Sequence, residues 1–134
     1  MEANTTSFSI PGGTGAAAMA RRWVTSIQAG LPLALRHRVA IVLSELIANA
    51  VQHGGAGPSE IVEVRMSLSS DRLRVEVIDP GWGGIEPPPR IHHLDGGYGL
   101  LLVEHLADDW GREATDTGGS LAWFELGLDG FRDA

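Results

Sequence analysis

Residues 32–53 constrain this chain more than any other segment: read as a helix, they are apolar or small on almost every side. Leu35, Val39, Val42, Leu43, Leu46 and Ala50 form a wide apolar arc. Ala40, Ser44, Ala48 and Val51 leave the remaining side small enough for another helix to cover. A helix with that pattern is buried nearly all round. Its one polar strip holds Arg38, Glu45, Asn49 and Gln52, with Glu45 and Asn49 one turn apart at i and i+4. A carboxylate on a largely buried helix is unfavourable unless a hydrogen-bond partner, a water-filled cleft or a cation receives it, so the strip implies a cleft. A carboxylate and a carboxamide so placed can serve a metal-bound phosphate, although a solvated helix edge has the same spacing.

A length of 134 residues with 43% hydrophobic and 20% charged content suits one domain, 1–134, with its own core. The formal charge of −7, with ten basic residues scattered along the chain, argues against direct binding to nucleic acid and leaves protein or nucleotide partners. With no cysteine there are no disulfides, thiolate nucleophiles or Cys-type zinc sites. Every one of the ten basic side chains is arginine, which removes Walker-type phosphate loops and Schiff-base chemistry, since both need lysine. The order Ala16-Ala17-Ala18-Met19-Ala20 before Arg21 and Arg22 reverses that of a secretory signal, and no apolar run reaches membrane length. The expected location is cytoplasmic, with no membrane partner.

Ser7 to Ile10 reads as a strand, and a turn at 11–14 leads into a helix over about 15–29 that Gly30 and Pro32 end. After the helix of 32–53, glycines and Pro58 stop the chain. Strands over 61–68 and 73–78 then alternate apolar Val62, Val64, Met66, Leu73, Val75 and Val77 with charged Glu63, Arg65, Arg74 and Glu76, the pattern of an antiparallel hairpin with one buried face. A Gly-, Pro- and His-rich loop fills 80–97. Helical spacing resumes over 99–107, and the chain closes with Trp110 and a strand over 121–126. This order predicts an α+β two-layer sandwich, with helices on one face of a mainly antiparallel, mixed sheet.

Asp79 ends a strand and opens the run Asp79-Pro80-Gly81-Trp82-Gly83-Gly84, where alternate glycines let backbone approach a flat ligand and Asp79 can accept a hydrogen bond; a plain tight turn has the same composition. Gly96-Gly97-Tyr98-Gly99 leads into Leu100 and a helix, whose N-terminal amides can face phosphate. It does not fit the dinucleotide pattern, because Leu102 stands at the third glycine position. Taken in order, Glu45 with Asn49, Asp79 with Gly81 and Gly83, and Gly97 with Gly99 resemble the N, G1 and G2 boxes of the GHKL, or Bergerat-fold, ATPase superfamily. The segment from Gly99 to Asp108 and the ending Trp123-Phe124-Glu125-Leu126 look like its anti-sigma-factor serine kinase branch, and the likeness runs from about Phe8 to Leu126.

That resemblance implies ATP and Mg²⁺ as cofactors. Glu45 would orient or deprotonate the attacking group, Asn49 would bind the metal beside the triphosphate, and Asp79 would accept from the adenine amino group. Gly81 and Gly83 would lie near the base, and Gly97, Gly99 and Leu100 near the phosphates. Residues 84–96 would form a lid, with Arg90 a phosphate contact. The branch commonly has a threonine two positions before the tryptophan of the last strand. Here Leu121 stands there, with the hydroxyl of Ser120 one residue early: either a register slip restores the hydroxyl and puts Ser120 in the nucleotide site, or nucleotide affinity is weakened. The function implied is an ATP-dependent protein serine/threonine kinase that sequesters a sigma factor and phosphorylates a serine of an anti-anti-sigma (STAS-type) partner, with a homodimer left open. The alternatives are a non-catalytic sequestration module and a detached histidine-kinase catalytic domain.

Other residues read more plainly. His53 suits a helix C-terminus. His92, His93 and Asp95 lack a fourth metal ligand at a familiar spacing. Of the four tryptophans, Trp23, Trp110 and Trp123 are expected in the core and Trp82 beside the nucleotide, while Arg21 and Arg22 are expected to be solvated.

Overall fold

Alternating burial lays out the sheet. In the computed structural model, which describes residues 4–27, 31–53, 60–79, 98–116 and 118–129, the elements run β1 (Asn4–Pro11), α1 (Ala16–Ile27), α2 (Leu33–His53), β2 (Ile61–Leu68), β3 (Arg72–Asp79), α3 (Tyr98–Leu106), β4 (Asp109–Ala114) and β5 (Ser120–Gly127). The five strands pair in the order β1-β2-β3-β5-β4. All four pairings are antiparallel, in keeping with the mainly antiparallel sheet expected. Val62, Val64 and Met66 on β2, Leu73, Val75 and Val77 on β3, and Phe124 and Leu126 on β5 are buried on one face. Register sets them side by side, Val64 opposite Val77 and Val75 opposite Phe124. Each such side chain withdrawn from water contributes roughly 1.5–3 kcal/mol.

The helices cover that face. α2 is packed against α1, α3 and β3, so its apolar arc has neighbours on several sides. All six residues of the arc expected from sequence are buried. Ser44, also buried, donates its hydroxyl to the Ile41 carbonyl at 2.9 Å, so that its polar atom is satisfied within the layer. α1 is tied down by Trp23, whose ring stacks on Phe8 of β1 at 5.3 Å. β4 extends the sheet past the terminal strand, and Trp110 on it packs against the core while half-buried.

Candidate active site

Asp79 is the last residue of β3 and Ser120 the first of β5, and the register sets them directly opposite. Both continue the buried, helix-facing row of their strands and are only 5% exposed. The Ser120 hydroxyl donates to Asp79 Oδ2 at 2.5 Å, a charge-assisted bond that partly offsets burial of the carboxylate. The turn before β5 fixes this pairing. Thr115 N donates to the Gly119 carbonyl and Gly119 N to Thr115 Oγ1, both at 3.0 Å, while Gly118 takes φ 87, where a side chain would be strained. Side-chain direction alternates, so a slip of one residue would turn Ser120 outward and Leu121 toward Asp79. It is thus the hydroxyl of Ser120 that meets Asp79, and Leu121 lies in the row opposite Ile78 on the other face.

Glu45 and Asn49 are half-buried on α2, with Leu46, Ile47 and Ala50 between and beside them fully inside. Arg38, two turns earlier on the same strip, is also half-buried. The packing of α2 on β3 brings the helix bearing the carboxylate–carboxamide pair onto the strand that ends in Asp79. The carboxamide oxygen of Asn49 is a hard donor of the kind Mg²⁺ accepts when phosphate and water complete its octahedron. Gly99 and Leu100 fall in the first turn of α3. Gly81, Gly83, Gly97, Trp82, Arg90, the two histidines at 92 and 93, Asp95 and the expected lid at 84–96 lie outside the described residues.

The sheet's other face carries a charge network. Arg72 and Arg74 grip Glu125 at 2.5 and 3.0 Å, and Glu76 lies 3.2 Å from Arg74 and 3.5 Å from Arg65. Burial pushes the Glu125 carboxyl up, but hydrogen bonds and charge from Arg72 and Arg74 outweigh it and hold the group below the usual carboxylate range. The Arg74 guanidinium sits 4.4 Å over the ring of Trp123, which is half-buried on this face. Trp123 is therefore not the core residue expected from sequence, whereas Trp23 is, at 3% exposure. Its hydrophobicity suggested burial, but the period of two along β5 gives the core face to Phe124.

The five-stranded antiparallel sheet with its helices on one face is an α+β sandwich, consistent with an ATPase domain. The family of the histidine kinase-like ATPase domain matches residues 12–123, and the chain belongs to it. Membership makes it a GHKL-type ATPase domain and implies ATP binding. Among solved structures, the chain is similar to the RsbU and RsbW domains of Rv1364c from Mycobacterium tuberculosis, at 20% identity and a TM-score of 0.66 over 91% of this chain and 32% of that one. It is also similar to the histidine kinase domain of the Erythrobacter litoralis EL346 blue-light activated histidine kinase, at 27% identity and a TM-score of 0.46 over 69% of this chain and 44% of that one. The chain thus spans less than half the length of either. Curated proteins give no match. Among the described residues no helix is long and apolar enough to cross a membrane.

Proposed function

We propose that this protein is an ATP-dependent protein serine kinase and anti-sigma factor, which sequesters a sigma factor and phosphorylates a serine on an anti-anti-sigma (STAS-type) partner in the cytoplasm. The observation that carries the reading is the layered arrangement of Glu45 and Asn49 on α2 over a strand ending in the buried Asp79–Ser120 pair. Family membership supports the ATP half of it, and the likeness in fold to a chain containing an RsbW domain is consistent with the regulatory half.

In this reading Asp79 accepts a hydrogen bond from the adenine amino group, while Ser120 holds the carboxylate in place. Asn49 holds Mg²⁺, which when bound supplies charge neutralisation at the triphosphate. Glu45 takes the proton of the acceptor serine as the serine oxygen bonds to the γ-phosphorus. The bond from that phosphorus to the bridging oxygen breaks, and ADP leaves with the electron pair. Leu121 and the Pro- and His-rich stretch 84–96 speak for a non-catalytic module, and the Ser120 hydroxyl 2.5 Å from Asp79 supports the nucleotide-binding reading at the first of these.

The test is to incubate the purified protein with labelled ATP, Mg²⁺ and STAS-type proteins from the same genome. Label on a partner serine, abolished when that serine is replaced by alanine, is the expected result. ATP binding without transfer to any partner would return the protein to the sequestration class.

A further inference from the structure

Large apolar side chains exposed one at a time are ordinary on a protein surface. Among the described residues Leu33, Ile41, Ile61 and Leu102 are exposed, and the first two share one ridge of α2. Leu33, His37, Ile41 and Glu45 follow one another at steps of four, so each stands one turn beyond the last. Leu33 is 58% and Ile41 43% exposed, and His37 between them is exposed too. The ridge then runs into the half-buried Glu45 and, a further turn on, Asn49.

In the kinase reading the two ends of this ridge face different reactants. Asn49 holds the metal and so marks the nucleotide side of Glu45. In-line transfer sets the attacking oxygen across the γ-phosphorus from the bridging oxygen, so the acceptor reaches Glu45 from the opposite side, that of Ile41. Side chains on a helix lean toward its N-terminus, which carries the Glu45 carboxylate toward Ile41.

We propose that Leu33, His37 and Ile41 form the docking ridge for the acceptor protein, an inference that rests on the kinase reading. An apolar side chain beside the acceptor serine packs on Ile41, and a second one packs on Leu33. At 1.5 Å per residue these two positions lie about 6 and about 18 Å from Glu45 along the helix, which sets how far from its serine the partner must carry its anchors. Charge selects a partner with an acidic surface. From residue 4 to residue 44 there is no aspartate or glutamate, while Arg21, Arg22, Arg36 and Arg38 all fall in that stretch. The elements that lead to Glu45 are therefore the positive part of a chain of net charge −7, and an acidic protein is steered to them and repelled elsewhere. A second copy docked ridge to ridge would bring the same arginines together instead.

Steady-state transfer from Mg·ATP to the STAS-type protein that takes the label, at varied concentrations of that protein, tests this on the full chain and three variants. Ile41→Gln and Leu33→Gln place a good helix former at an exposed position, so the fold and the thermal shift given by Mg·ATP should stay as in the wild type. Each should raise KM for the partner about tenfold and leave kcat within about twofold, because the ridge adds binding and not chemistry. Ile41→Met keeps an apolar surface and should behave as the wild type. If the wild type transfers phosphate and KM is unchanged in both glutamine variants, the docking ridge is overturned and the kinase reading stands. A wild type that binds ATP and transfers to no partner overturns both. A glutamine variant whose sedimentation mass falls while KM holds gives the ridge to a second copy and overturns the proposal as well.

Discussion

A carboxylate sealed between two strands must keep its acceptors occupied, and Asp79 does so through Ser120 at 2.5 Å. In the proposed role the same carboxylate discriminates among bases, because a nucleotide lacking an amino donor at that point leaves a buried acceptor unmatched. Asp79→Asn puts a donor among groups that are already donors. It should weaken ATP binding by about 1–3 kcal/mol, and GTP should bind poorly to the wild type. Calorimetry with both nucleotides checks this, and equal ATP affinity in the variant would remove Asp79 from the adenine site. Ser120→Ala leaves the carboxylate buried with one donor fewer. A hydrogen bond to a charged group contributes about 1.5–3 kcal/mol, so urea unfolding without nucleotide should show a loss of that order. Asp79 was legible in the sequence because a strand pattern ends on it beside glycines. For Ser120 the sequence left two outcomes open, a register that restores its hydroxyl or a weakened site, because strand register depends on the turn at Thr115–Gly119, and one residue of slip reverses every side chain.

At the scale of elements, α1, α2, the β2–β3 hairpin and the terminal strand were legible because each has ten or so residues of clear period or a sharp turn signal. β4 was not. Of its six residues only Trp110 and Arg112 are half-buried and Gly111 buried, and Gly111, on the Trp123 face, hides the alternation because its neighbour fills the space instead: a Cβ at Gly111 would stand 2.9 Å from the Trp123 ring. That ring also carries the Arg74 guanidinium 4.4 Å over it, so it has little room to yield. Gly111→Val should therefore destabilise the fold by about 1–3 kcal/mol and shift the near-ultraviolet tryptophan spectrum, in spite of the higher strand propensity of valine. If stability rises, the close packing of Trp123 on β4 is wrong. The same face sets an acid limit. Glu125 has its folded pKa held below the ordinary value of 4.5, so its contribution is complete above that value and is lost as pH falls through the lowered one. Glu125→Gln removes this dependence, and its stability profile should be flatter than that of the wild type below about pH 4.5 and lower above it. Parallel profiles across that window would show that Arg72 and Arg74 do not act through the Glu125 charge.

Over the whole molecule, the proposed ligand touches both layers, Asn49 from the helices and Asp79 from the sheet, so binding should register as stability of the fold and not only as a local event. A ligand that binds the folded state alone adds about 2.7 kcal/mol at a hundred times its dissociation constant, which in a domain of this size raises the melting temperature by roughly 10 °C. Mg·ATP should give such a shift, and the variants of α2 should divide it. Asn49→Ala loses the metal ligand, so the shift should shrink together with phosphotransfer. Glu45→Ala removes a group that meets the acceptor hydroxyl and not the nucleotide, so the shift should persist, with ATP affinity within a few-fold, while single-turnover transfer to the partner serine falls by about 10² to 10⁴. The division matters because both residues sit half-buried on one strip of one helix, and general damage to α2 would lower both readouts in both variants. Melting curves with and without Mg·ATP, set beside transfer rates for the same preparations, separate the cases. Equal transfer by wild type and Glu45→Ala would remove Glu45 from the role of base, and loss of the thermal shift in Glu45→Ala would move it from chemistry to nucleotide binding.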